Sequence, residues 1–154
     1  MKILSREVKA IEEVTNKIKP DNLVLSLNYS PNWLHSHISG YIAGNKPLVI
    51  LENYEAQLNW FPVKWNLDFY QISPLKEYGI ENKNIAMNFY VNKEDLTCFS
   101  LKKWSGEIKP VKYVFLIGKN RGNNDEIAYK IKLMLKNNYF IVGSNSLCRL
   151  YELK

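Results

Sequence analysis

The chain lacks the features that mark several large classes of protein. None of its apolar runs approaches the ~18–20 residues that cross a bilayer, and the region from Lys2 to Lys19 is charged throughout, unlike a signal peptide. No nucleophile-elbow, zinc-protease or P-loop motif occurs; Gly118 to Gly122 has only a superficial likeness to a phosphate-binding loop. These absences predict a soluble globular domain and leave its reaction unnamed.

Cysteine and histidine are scarce. The two cysteines, Cys98 and Cys148, have no metal-ligand spacing, and they form either one disulfide or two buried thiols. The two histidines, His35 and His37, would point about 200° apart on a helix and could not share a metal ion there. We therefore expect no metal site and no cofactor.

Strong charge of one sign is also missing. The 21 basic and 15 acidic side chains give a net charge of +6, but the lysines are scattered along the chain. A nucleic-acid-binding protein would need a contiguous basic face. Dispersed lysines favour a solvated surface, so we expect no nucleic-acid partner.

The first fifty residues alternate between helical and strand patterns. Ser5 is a candidate cap for a helix, and strands are predicted at Leu23–Leu27 and Leu48–Leu51. Between the strands, Pro31 or Asn32 would begin a second helix that stops at Gly44. The buried stripe of the first helix is Val8, Ile11, Val14 and Ile18; that of the second is Leu34, Ile38, Tyr41 and Ile42.

The last third of the chain predicts a strand at Val111–Ile117 and a helix that Asn124 caps. A strand at Tyr139–Val142, a turn and a strand at Leu147–Leu153 then form an antiparallel hairpin. The patterns in the middle of the chain are weaker. Residues 68–72 favour a short strand or an extended loop, Pro74–Tyr78 a single helical turn and Ile85–Val91 a loose strand, whereas Leu96–Trp104 fits either type. Together these elements predict one α/β domain over residues 1–154, a three-layer α/β/α fold whose mostly parallel sheet has an antiparallel C-terminal edge hairpin.

Polar residues follow the two N-terminal strands at the edge where open α/β sheets place their ligands. We expect them to form one surface, because both loops leave neighbouring strands on the same side. The predicted binding residues are Asn28, His35, Glu52, Asn53, Tyr54, Glu55 and Trp60.

Each candidate also has a structural interpretation. His35 is either a general base or a hydrogen-bonded structural histidine. Glu52 and Glu55 are either a catalytic carboxylate pair or a cap and a solvated side chain. A set of aromatic residues has two interpretations. They form a platform for a sugar ring or a lipid headgroup region, or they pack in the core. The set comprises Trp33, Trp60, Phe61 and Trp65.

The order of these segments resembles a known family. An amphipathic helix leads into Leu23 to Leu25. The later segments are Leu34 to Tyr41, Glu52 to Ala56, Trp60 to Val63, Tyr113 to Gly118 and Leu150 to Leu153. In this succession the chain is similar to the soluble C-terminal domain of multi-spanning bacterial membrane glycosyltransferases that use lipid-phosphate-linked sugars.

The resemblance implies a fragment C-terminal to transmembrane helices, located on the extracytoplasmic side of the membrane. It implies an accessory, non-catalytic role in contact with the acceptor or with loops of its own transmembrane portion. A saccharide or lipid-linked sugar would be its partner, and no catalytic residue carries over, because that residue usually belongs to the membrane portion. The alternative is a free-standing hydrolase or sugar-modifying enzyme that uses Glu52 or Glu55 with His35.

Overall fold

The computed structural model describes residues 2–35, 38–44, 46–51, 90–91, 99–102, 108–118 and 126–154. The elements in chain order are α1 (Lys2–Thr15), β1 (Asn22–Asn28), two 3₁₀ turns (Trp33–His35 and Ile38–Ala43), β2 (Leu48–Ile50), β3 (Tyr90–Val91), β4 (Phe99–Lys102), β5 (Ile108–Pro110), β6 (Tyr113–Ile117), α2 (Glu126–Asn138), β7 (Tyr139–Ser144) and β8 (Cys148–Leu153). Within these ranges neither α-helix is long and apolar enough to cross a bilayer.

The main sheet has five strands in the order β2-β1-β6-β8-β7. β1 is parallel to β2 and β6, whereas β8 is antiparallel to both β6 and β7. The predicted α/β class and antiparallel C-terminal hairpin are confirmed. The expectation of a mostly parallel sheet is corrected to a mixed one, because β8 enters between β6 and β7. A three-stranded antiparallel sheet, β3-β4-β5, was not predicted.

β1 is buried on both faces, because its successive side chains point to opposite faces and each face packs against a hydrophobic cluster. Leu23, Leu25 and Leu27 join a cluster with Ile131 and Leu135 of α2. Their neighbour Val24 belongs to a second cluster, which contains Ile11 and Val14 of α1, Phe115 of β6 and Ile38 and Ile42 of the second 3₁₀ turn. The run of apolar residues therefore correctly predicted a central strand.

The N-terminal helix begins earlier than predicted. α1 begins at Lys2, so Ser5 is an exposed residue inside the helix and not its cap. The predicted stripe is confirmed in part: Ile11 and Val14 are buried and Val8 is half-buried, whereas the buried Ile18 lies beyond the end of α1 at Thr15. Lys46 closes the far end: its Nζ donates to the carbonyl oxygens of Thr15, Asn16 and Ile18 at 3.2, 2.8 and 3.1 Å.

The predicted second helix is replaced by the two 3₁₀ turns. Its four-residue stripe fails in part: Ile38 and Ile42 are buried, but Leu34 and Tyr41 are exposed. A 3₁₀ turn brings side chains into line every three residues. Within the second turn the buried Ser39 and Ile42 follow that step.

β2 lies at the edge of the five-stranded sheet and is partly exposed, which corrects the prediction of a buried strand at Leu48–Leu51. Only Leu51, just past its end, is fully covered, and its backbone N–H donates to the Val24 carbonyl at 2.8 Å. An apolar run of four residues does not distinguish an edge strand from a central one.

Candidate functional site

The sheet has a switch point between β1 and β6. The connections from these two parallel strands lead to opposite sides of the sheet. After β1 the next strand of this sheet is β2, at one outer edge, whereas after β6 the chain continues through α2 to β7, at the other. Ligands of open α/β sheets bind in the crevice at the carboxyl ends of such strands. The Tyr29 N–H donates to the Ile117 carbonyl at 2.9 Å and ties the two strand ends together.

Gly118, the residue after β6, allows the backbone to pass close to Tyr29 and Ser30 at the carboxyl end of β1. Its φ of 77° lies in the left-handed region, and a Cβ there would stand 2.9 Å from the Ser30 nitrogen and 3.0 Å from the Tyr29 carbonyl carbon. A side chain at this position would meet backbone atoms that have little room to move. The position therefore requires glycine.

Asn28 connects β1 to the first 3₁₀ turn. Its side chain is buried; Nδ2 donates to the His35 carbonyl at 2.8 Å, and Oδ1 accepts from the Ser30 N–H at 3.0 Å. Two of the predicted site residues, Asn28 and His35, therefore do meet at the carboxyl end of β1.

The ring of His35 is 4% exposed and lies among three polar side chains. Its Nδ1 is 2.7 Å from the Ser30 Oγ; its Nε2 is 3.2 Å from the Glu7 Oε2 and 3.2 Å from the Asn32 Nδ2. We call Glu7, Asn28, Ser30, Asn32 and His35 the His35 cluster. It joins α1, the end of β1 and the first 3₁₀ turn.

The hydrogen-bond partners of the two ring nitrogens of His35 indicate which nitrogen carries the hydrogen in the neutral ring. The Asn32 Oδ1 accepts from the Leu34 N–H at 3.1 Å, so the Nδ2 donor faces the ring. Nε2 can accept from that amide or donate to the Glu7 carboxylate, and the charge-assisted bond is the stronger one. We therefore assign the hydrogen to Nε2. In the neutral ring Nδ1 is then the acceptor, and the Ser30 hydroxyl donates to it.

The other predicted site residues, Glu52, Asn53, Tyr54, Glu55 and Trp60, lie outside the described residues. The described part of β2 pairs Ile50 with Val24, so its carboxyl end lies four residues before Asn28 along β1. At ~3.3 Å per residue this offset is about 13 Å. The inclusion of residues 52–60 in one surface with Asn28 stays a prediction.

Of the predicted aromatic platform, only Trp33 lies within the described residues. It is 79% exposed, so core packing is excluded for this side chain. Tyr41 is exposed on the second 3₁₀ turn. Trp60, Phe61 and Trp65 lie outside the described residues.

Sequence reasoning missed three members of the His35 cluster. Ser30 and Asn32 follow Asn28 at two-residue steps just past a strand, a pattern that could have marked them. Glu7 offered no such signal, because it is 28 positions from His35 and only the packing of α1 brings it there.

Cys148 is a free, buried thiol. Burial raises its pKa to about 11, and a hydrogen bond to Asn145 opposes that rise. Since only the thiolate is a strong nucleophile, Cys148 is unreactive near neutral pH. Cys98 lies outside the described residues.

No metal-binding group of three His, Cys, Asp or Glu side chains occurs in the part of the chain that the structure describes. Comparisons of the chain with known protein families, curated proteins and solved structures give no match. The functional argument therefore depends on the geometry of the His35 cluster and its surroundings.

Proposed function

We propose that this chain is the accessory soluble domain of a multi-spanning membrane glycosyltransferase that uses a lipid-phosphate-linked sugar. The domain takes no part in the chemistry of glycosyl transfer. It lies on the extracytoplasmic side of the membrane and contacts the acceptor saccharide or the loops of its own transmembrane portion. Its fold is a three-layer α/β/α arrangement, which the two core clusters on opposite faces of β1 support.

The observation that carries this proposal is an exposed tryptophan in the same short segment as the partly exposed Ser30 and Asn32. Trp33 begins the 3₁₀ turn whose other end, His35, is held by Asn28 and Glu7. Partly exposed Ser30 and Asn32 lie just before Trp33 in the chain. A sugar presents an apolar C–H face and a ring of hydroxyls, so an aromatic surface with adjacent amide and hydroxyl groups matches it.

The hydrogen bonds of His35 favour a binding role for this surface over general acid–base catalysis on a sugar. Both ring nitrogens face polar partners inside the cluster, and the ring has almost no exposed surface. A general acid or base must come within hydrogen-bond reach of the proton that it moves. With both nitrogens engaged, the ring reaches a ligand through the Ser30 hydroxyl and not directly, which disfavours direct proton transfer to a glycosidic oxygen.

The DNA sequence upstream of the Met1 codon tests whether this chain is part of a membrane protein. We expect the reading frame upstream of the Met1 codon to encode several apolar segments of ~20 residues. A native start codon at Met1, with no such segments encoded ahead of it, would contradict the proposal.

The second candidate, a free-standing hydrolase that uses Glu52 or Glu55 with His35, has a direct assay. The isolated chain would cleave glycosides or phosphate esters, and Glu52→Gln would abolish that activity. The proposed accessory role predicts no cleavage of either substrate class by the wild-type chain.

A further inference from the structure

The hydrogen bonds around His35 join a hydroxyl, an imidazole and a carboxylate in one chain. The His35 Nδ1 is 2.7 Å from the Ser30 Oγ, and its Nε2 is 3.2 Å from the Glu7 Oε2. With the hydrogen assigned to Nε2, the Ser30 hydroxyl donates to Nδ1 and Nε2 donates to the carboxylate. A hydroxyl bonded to a base that a third group orients is the arrangement of an activated nucleophile. We propose that Ser30 is a nucleophile that accepts acyl groups from small carboxylic esters, an activity separate from glycosyl transfer.

The roles of the three groups follow from the direction of the bonds. Glu7 holds the hydrogen on Nε2 and so leaves Nδ1 free to take the hydroxyl proton. As that proton arrives, the ring becomes positive, and the Glu7 carboxylate stabilises the imidazolium. Serine enzymes commonly place the hydroxyl on Nε2; here the two nitrogens exchange roles, which the two tautomers of imidazole allow.

The backbone places Ser30 where a nucleophile is useful. Ser30 lies two residues past β1, in the turn that leads into the first 3₁₀ turn, at the switch point of the sheet. Esterases of the α/β class also carry their serine on a turn between a strand and a helix. The glycine-flanked motif of those enzymes is absent, so this likeness is geometric. The glycine that makes room here is Gly118, from β6.

Asn32 contributes a backbone N–H that reaches Ser30 and a side-chain amide in the same cluster. Because Nε2 donates to Glu7, the Asn32 Nδ2 has no acceptor on the ring, although it is 3.2 Å away. Its backbone N–H also donates to the Ser30 Oγ, at 3.2 Å. A side-chain amide next to the nucleophile can donate to the oxyanion that forms during acyl transfer.

The reaction balances without any further reagent except water. The Ser30 Oγ bonds to the carbonyl carbon of the ester while its proton passes to Nδ1. The bond from that carbon to the alkoxy oxygen then breaks, and the leaving alcohol takes the proton from Nδ1. Water hydrolyses the acyl-serine by the same proton path and restores the hydroxyl.

The first test needs no variant. The purified chain is treated with a small fluorophosphonate, whose phosphorus bonds to the activated oxygen as fluoride leaves, and the modified peptide is located by mass spectrometry. We expect one adduct per chain, at Ser30. No adduct, or an adduct at another serine, would overturn the proposal.

The second test separates activation from simple exposure. Labelling should be lost in Ser30→Ala, slowed about a hundredfold or more in His35→Gln, and slowed about tenfold in Glu7→Gln. Ser146→Ala, at an exposed serine in the β7–β8 turn, serves as the matched control and should label like the wild type. An unchanged labelling rate in a His35→Gln chain with a wild-type melting transition would also overturn the proposal.

Discussion

At the scale of single residues, two polar groups on one face of β1 differ in how they are satisfied. Asn28 uses its amide nitrogen and its oxygen in buried hydrogen bonds to His35 and Ser30. Ser26, two residues earlier, is completely buried, and its Oγ has no hydrogen-bond partner among the described residues. Burial of a polar group without a partner opposes folding, whereas removal of a satisfied one leaves its partners unpaired.

This contrast predicts opposite effects of two alanine substitutions. Asn28→Ala leaves the His35 carbonyl and the Ser30 N–H unsatisfied and should lower the free energy of unfolding by about 2–4 kcal/mol. Ser26→Ala removes an unpaired hydroxyl and should change it by less than about 0.5 kcal/mol or raise it. Urea unfolding of both variants measures the difference. Equal losses in the two variants would contradict the assigned hydrogen bonds.

Gly118 gives a second prediction at this scale. Gly118→Ala places a Cβ against the Ser30 backbone and forces a left-handed φ on alanine, so we expect a loss of about 2 kcal/mol or more. Gly40→Ala is the matched control, because a Cβ at Gly40 meets no atom within 4 Å. Thermal and urea unfolding report the difference, and similar stabilities of the two variants would refute the close approach of β6 to the Ser30 turn.

At the scale of elements, helix ends are closed by side chains that are distant in sequence. Lys46 donates to three carbonyl oxygens at the end of α1, and the Lys154 Nζ donates to the Asn137 carbonyl at the end of α2, at 2.6 Å. The last carbonyls of a helix have no partners within the helix, and a cation there also interacts favourably with the helix dipole.

Lys46→Met should therefore destabilise the protein by about 1–2 kcal/mol, because it keeps the apolar stem and removes the donor. Lys132→Met, at an exposed position of α2, serves as the control and should have little effect. Urea unfolding in low salt compares the two. If Lys132→Met destabilises as much as Lys46→Met, the cap at the end of α1 contributes nothing specific.

The elements that sequence reasoning predicted are those with strong local patterns. Leu23–Leu27 was recognised as a central strand because it is apolar nearly throughout, and the Tyr139–Leu153 hairpin because a turn separates two strand patterns. The 3₁₀ turns were missed because their apolar residues also fit a helical stripe. At the site, Asn28 and His35 were predicted from their place after β1, while Glu7 depends on the packing of α1, which local pattern does not encode.

At the scale of the whole molecule, stability should depend on pH in the alkaline range. Burial raises the pKa of the Cys148 thiol to about 11 from 9.0, and burial is also the main cause that raises the pKa of Tyr113 above 10.0. The unfolded chain releases both protons at lower pH than the folded chain does. The contribution of Cys148 to stability is therefore intact below about pH 9 and is lost as pH rises through about 11. The contribution of Tyr113, whose pKa is raised from 10.0, is likewise lost in the alkaline range.

Urea unfolding at about pH 7, 9 and 10.5 measures this dependence. We expect a falling free energy of unfolding above about pH 9, with a shallower fall in Cys148→Ala, which lacks the thiol. A stability that rises over this range would contradict the burial of both groups.

The account as a whole holds that the carboxyl end of β1 is a preformed saccharide-binding surface. Its members come from α1, β1 and the first 3₁₀ turn, and they are joined to one another by hydrogen bonds. The exposed Trp33 lies next to them, while the exposed Tyr129 lies on α2. These two aromatic residues therefore form a matched pair for a binding measurement.

The most direct measurement is a titration of the ¹⁵N-labelled chain with methyl glycosides of common hexoses, followed by amide and indole chemical shifts. We predict that shifts concentrate at residues 28–35 and 117–118 and are lost in Trp33→Ala but kept in Tyr129→Ala. An absence of shifts at the end of β1, or shifts centred on α2 that Tyr129→Ala removes, would contradict the account.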